Sequence, residues 1–125
     1  MWDILLWVYL INAVLLILHE IDSAYWKEWE LFRLPGGVTG FLLVHVPILL
    51  LVLYGLVLVF QQTFAGLIFS LVLSLSGVFA FAIHMYFVRK GRSEFDTAIS
   101  RLILVATFVV SLAQAAVTVY MLVQV

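Results

Sequence analysis

Four apolar runs, each about as long as a bilayer is thick, constrain this chain more than any other feature. They extend from about Trp2 to His19, Val38 to Phe60, Thr63 to Val88 and Asp96 to Val125. A helix rising 1.5 Å per residue needs roughly 20 residues to cross a hydrocarbon layer of about 30 Å. The last three runs meet this as they stand, and the first does once it continues a turn past His19 to about Asp22. Within lipid the backbone has no water to bond, so an open sheet is excluded and helices are the expected solution. The expected fold is an all-α membrane protein: one four-helix transmembrane domain with spans at about 2–22, 38–60, 63–88 and 96–125.

Composition agrees with this and removes several functional classes. The chain is 66% hydrophobic and only 10% charged, against about 25% charged in ordinary soluble domains. Its net charge of −1 offers no basic footprint for nucleic acid. There is no cysteine, which excludes disulfides, thiolate metal sites and cysteine nucleophiles. The first charge is Asp3, and neither a basic leader nor a small-residue cleavage site accompanies the first run. That run is therefore read as a retained helix rather than a signal peptide.

The connections are legible. Leu34-Pro35-Gly36-Gly37 breaks the helix before the second run, Gln61-Gln62-Thr63 is a short polar turn, and Gly91-Arg92-Ser93 opens a turn with Ser93 or Asp96 as the expected N-cap. Between Glu20 and Arg33 the chain is polar and aromatic. It reads as a helical extension or a short interfacial helix, with Tyr25, Trp26 and Trp29 in the headgroup layer.

All six basic residues mark one side. Lys27 and Arg33 lie in the first connection, Arg89, Lys90 and Arg92 in the third, and Arg101 one turn into the fourth run, while both chain ends and the second connection have none. The positive-inside rule makes that side cytoplasmic. The chain thus reads as an integral protein of a prokaryotic-type plasma membrane with both termini outside.

The three histidines fall on three different runs, His19 at the inner end of the first, His45 in the inner part of the second and His84 near the inner end of the third. At 1.5 Å per residue, His45 lies roughly 10 Å and His84 roughly 6 Å from the inner edge, so all three share one layer. Ionisable groups at membrane depth are costly and mark sites. Acidic groups lie at the same level: Asp22 on the face of His19, Glu20 about 100° away toward the interface or a neighbouring helix, and Asp96 opening the fourth run. Polar stripes support inward faces: Asn12, His19, Asp22 and Trp26 on the first run; Ser70, Ser74, Gly77 and His84 on the third; Asp96, Ser100, Thr107, Ser111, Gln114 and Thr118 on the fourth. Such residues also serve simply to let membrane helices pack closely.

Neutral imidazole is a common metal ligand. The expected site is a divalent cation held by His19, His45 and His84 with Asp22 or Asp96 completing the shell. Zinc fits three nitrogens best, and iron or manganese fits if more carboxylate joins; haem with axial histidine is the other ligand-based reading. Asp22 or Glu20 would handle the proton.

His19-Glu20-Ile21-Asp22-Ser23-Ala24 on the first helix, Trp29 downstream, and His45-Val46-Pro47 on the second resemble small four-helix membrane proteins of unknown function, and are loosely similar to HxxEE-type membrane proteins. Asp22 and Ser23 stand where that pattern has its two glutamates. The resemblance covers about 35 residues and implies a fold and a candidate site.

Three functions follow as expectations. The first is a membrane-embedded metal-dependent hydrolase of a lipid or lipophilic substrate. The second is a small transporter or proton-coupled carrier working as a homo-oligomer, because four helices leave little room for a pore. The third is an accessory membrane subunit without catalysis.

Overall fold

The computed structural model describes residues 1–91 and 97–125. Among these it has α1 (Trp2–Tyr25), the one-turn α2 (Glu28–Leu31), α3 (Gly37–Phe60), α4 (Phe64–Arg89) and α5 (Ala98–Val123), and no strand. The four long helices are each long and apolar enough to cross a membrane, and the chain is an integral membrane protein. Arg92, Ser93, Glu94 and Asp96 lie outside the described residues.

Local chemistry sets the helix ends. Thr63 caps α4, its hydroxyl accepting from the Gly66 amide at 3.0 Å. Thr97 caps α5 in the same way, accepting from the Ser100 amide at 3.1 Å. The cap of α5 is thus Thr97 rather than the expected Ser93 or Asp96; a threonine hydroxyl serves as well at this position. Pro47 lies inside α3, where it removes one helical donor. A membrane helix accommodates this by local adjustment.

The polar stripes read from the sequence face inward. Asn12, Ser70, Ser74, Ser100, Thr107, Ser111, Gln114 and Thr118 are all buried. Lipid-facing side chains give no net drive for helices to associate in hydrocarbon, so close packing and interhelical hydrogen bonds carry that task. Gln114 Nε2 donates to the Ser70 carbonyl at 3.0 Å and to its hydroxyl at 2.9 Å, Asn12 Nδ2 donates to Gln114 Oε1 at 2.8 Å, and the Ser70 and Thr118 hydroxyls pair at 2.8 Å. This ladder ties α1, α4 and α5 together. At Gly77 a Cβ would stand 2.0 Å from Ser111 Oγ, so glycine permits the close approach of α4 to α5.

The larger apolar cluster runs from Leu5, Val59, Leu67 and Met121, at the end that carries the Gln61–Thr63 turn, to Leu16 and Leu73, and a smaller one forms around Leu31 and Leu104. The opposite end carries Lys27, Arg33, Arg89 and Lys90, and is called the basic end below. Over their length α1 and α4 touch little directly, while α3 packs on both; at the basic end α1 and α4 meet through His19 and His84.

Candidate metal centre

Helix α1 brings His19 to the basic end on the same buried face as Asn12 and Leu16. Helix α4 brings His84 there on the face of Ser70, Ser74 and Gly77. Both imidazoles are 2% exposed, and their rings meet edge to face with centroids 4.5 Å apart.

The third member comes from the connection. After Tyr25 the chain reverses at Lys27, which adopts a left-handed φ of 54°. The single turn of α2 then folds back, anchored by buried Leu31 and by Trp29 against Phe41, with ring centroids 5.5 Å apart. This swings the Glu28 carboxylate to 3.1 Å from His84 Nε2. His19, Glu28 and His84 each offer a donor atom, and these atoms lie within 4.8 Å of one another.

Hydrogen bonding fixes one imidazole nitrogen and leaves the other aimed at acid. His84 Nδ1 lies 2.7 Å from the Ala80 carbonyl. A carbonyl only accepts, so Nδ1 carries the proton. In neutral His84 the Nε2 lone pair then faces the Glu28 carboxylate, acceptor against acceptor. An additional proton or a cation between them resolves the conflict. An N–H anchored on a backbone carbonyl with the second nitrogen turned toward an open ligand position is how metal-binding histidines are oriented.

His45 repeats the pattern in a separate place. Its Nδ1 donates to the Phe41 carbonyl at 2.6 Å, and its Nε2 is paired with the Glu20 carboxylate. The structure therefore brings together two of the three expected histidines and pairs the third with Glu20, which turns to the neighbouring helix rather than to the interface. Asp22 shares the face of His19 but lies outside the three-donor group: Oδ1 accepts from Trp26 Nε1 at 3.0 Å, while Oδ2 is buried without a hydrogen bond among the described residues. Asp96 lies outside the described residues.

Glu28 was not singled out from the sequence. Its placement depends on the reversal at Lys27, and no glycine or proline marks that turn. The run of acid and aromatic residues over Glu28-Trp29-Glu30 was the only available signal.

A cavity of about 860 Å³ opens beside this group, and its lining includes His19, Glu20, Glu28 and His84. Its remaining wall is almost wholly apolar, drawn from α1, α3, α4 and the connection after α2. Asp22 and His45 do not line it. The arrangement joins a small polar cluster able to hold a cation to an apolar space able to hold a lipophilic molecule, the usual composition of a ligand site.

No curated protein and no solved structure matches the chain. The model of a family of unknown function, DUF6713, matches residues 5–121, and the chain belongs to that family.

Proposed function

We propose that this protein binds a divalent cation through His19, His84 and Glu28 and uses it on a lipophilic substrate held in the adjoining cavity. The observation that carries the proposal is the convergence of two buried imidazoles and a carboxylate, with donor atoms within 4.8 Å, at the polar end of an apolar cavity. Zinc bonds to nitrogen and oxygen at about 2.0–2.2 Å would place tetrahedral donors about 3.4 Å apart. The trio therefore needs to contract by no more than about 1.4 Å, within reach of side-chain rotation. Two histidines and one glutamate suit zinc, and the same set suits ferrous iron. The Lys and Arg bias supports a cluster on the cytoplasmic side with both termini outside.

Held by His19, His84 and Glu28, a divalent cation would supply a water activated as a nucleophile near neutral pH. The chemistry this favours is hydrolysis of an ester. The water oxygen bonds to the carbonyl carbon, the bond to the alcohol oxygen breaks, and the water proton passes through a base to the leaving alkoxide. Glu20 is the base that lines the cavity; because His45 Nδ1 donates to the Phe41 carbonyl, a second proton on His45 Nε2 would be what holds the Glu20 carboxylate in place. Asp22 is already engaged by Trp26 and is assigned to bracing the end of α1.

The transport reading is less favoured. Toward the non-basic end, Asn12, Ser70, Ser111, Gln114 and Thr118 bond to one another and are buried, so they form a closed ladder rather than a water path.

Elemental analysis of tag-free, detergent-purified protein tests the proposal. Near-stoichiometric zinc, iron or manganese in the wild type, lost in His84→Ala and retained in His45→Ala, is the expected result. Absence of metal after reconstitution overturns it.

A further inference from the structure

The cavity is long as well as apolar. One face of α4 lines it from Ile68 to Phe87. From Phe69 to His84 that helix rises about 22 Å. A carbon chain with bonds of about 1.5 Å at near-tetrahedral angles advances about 1.25 Å per carbon, so about 18 carbons fill this length.

The two ends of the cavity differ. The basic end is polar, with His19, Glu20, Glu28 and His84. The other end is sealed: Tyr9 donates its hydroxyl to the Val52 carbonyl at 2.6 Å, tying α1 to α3. Phe69 closes against Gly55, where a Cβ would stand 3.0 Å from the ring. The floor is protein, since Leu16 and Leu73 are 7% and 5% exposed. The side between α3 and α4 faces outward, where Leu51, Val72 and Phe79 are 56%, 58% and 67% exposed. Apolar residues on the outside of a spanning helix meet lipid, so this side opens to acyl chains.

We propose that the groove holds one acyl chain of an ester lipid, of about 18 carbons, which enters between α3 and α4 from the bilayer. Its ester carbonyl lies at the His19–Glu28–His84 end and its terminal methyl rests against the Tyr9–Val52 bridge. The chain gains little by leaving one hydrocarbon environment for another. Selection therefore comes from the fit of length between a polar head site and the Tyr9–Val52 end, where surplus methylenes must bend out through the open α3–α4 side and lose the groove's contacts. This deepens the function proposed above, and rests on it only for what meets the ester.

The test is competition for delipidated wild-type protein by an equimolar set of saturated monoacylglycerols, read by native mass spectrometry. The set runs from about 12 to about 22 carbons, bracketing the groove's length. Retention peaks at about 18 carbons and falls severalfold for clearly longer chains, whose surplus methylenes must bend out of the groove into lipid. A flat profile, or one that follows chain hydrophobicity upward without a maximum, overturns the proposal. Ser76 lines the groove and bonds only its own helix, at the Val72 carbonyl, so Ser76→Trp fills the space without stranding a partner. It abolishes the length preference, whereas Leu112→Trp on the lipid face of α5 leaves it intact; equal behaviour of the two variants also overturns the proposal. Metal content measured on the same samples separates the two readings. His84→Ala that loses metal but keeps the length preference leaves the groove standing. Wild type that holds metal with no length preference removes the groove alone.

Discussion

Glu28 lies 3.1 Å from His84 Nε2, although one is carried by a single helical turn in the first connection and the other by the basic end of α4. Because His84 Nδ1 already donates to the Ala80 carbonyl, this contact sets lone pair against carboxylate unless a proton or a cation lies between. Glu28→Gln separates the outcomes at the cluster. An amide donates to Nε2 and satisfies it without a cation, so the variant folds while its metal content falls by at least about tenfold, the scale set even by losses outside the direct ligands. Metal analysis beside a thermal melt in detergent checks this. Unchanged metal content would remove Glu28 from the ligand set.

Glu20→Gln addresses the chemistry. Glu20 lines the cavity but lies outside the three-donor group, so the variant keeps its metal. Hydrolysis of a long-chain ester by the metal-loaded protein falls by about 10²–10⁴, the usual contribution of a positioned base. Retention of full activity would reassign the base.

Lys27 holds a left-handed φ of 54° without being glycine. Such a conformation costs on the order of 1–3 kcal/mol and is worst for β-branched side chains. Lys27→Val therefore weakens metal binding severalfold by disturbing the turn that presents Glu28, although residue 27 supplies no donor atom to the group. Lys27→Gly, which adopts the conformation freely, retains it. The comparison is made by metal titration, and equal affinities in the two variants would mean that α2 docks independently of this turn.

Gly77→Ala places a methyl where Ser111 Oγ stands, at 2.0 Å. Overpacking of this kind costs about 1–3 kcal/mol. Ser111→Ala in the same chain relieves part of it, because the next contact is Ser111 Cβ at 3.1 Å. A double-mutant cycle of unfolding free energies reads the coupling, and strict additivity would show that α4 and α5 do not meet here.

Gln114→Leu removes the bonds that Gln114 makes with Asn12 Nδ2 and the Ser70 hydroxyl, leaving them Ser111 Oγ and the Thr118 hydroxyl as partners. Interhelical polar contacts in membranes average about 0.6 kcal/mol and reach about 1.7, so a loss of about 1–2 kcal/mol is expected, with metal content unchanged. Denaturant titration in mixed micelles measures it. A change in metal content would tie the ladder to the cluster at the basic end.

The spans were legible because length and hydropathy are properties of contiguous residues, and lipid admits so few backbone solutions that four apolar runs leave only helices. The inward faces were legible too, since Ser70, Ser74 and Gly77, or Thr107, Ser111, Gln114 and Thr118, recur at helical spacing and all prove buried. The shared depth of the histidines followed from counting residues along helices. What residue counting did not settle was rotation and pairing. His45 is at the expected depth yet turns to Glu20, and Asp22 shares the face of His19 yet bonds to Trp26. Glu28 reaches His84 only because Lys27 reverses the chain in a conformation no local residue type announces. Depth is set by position along one helix, which sequence encodes directly. Which donor atoms converge is set by the relative rotation of three helices and one turn, and only packing between segments distant in sequence determines that.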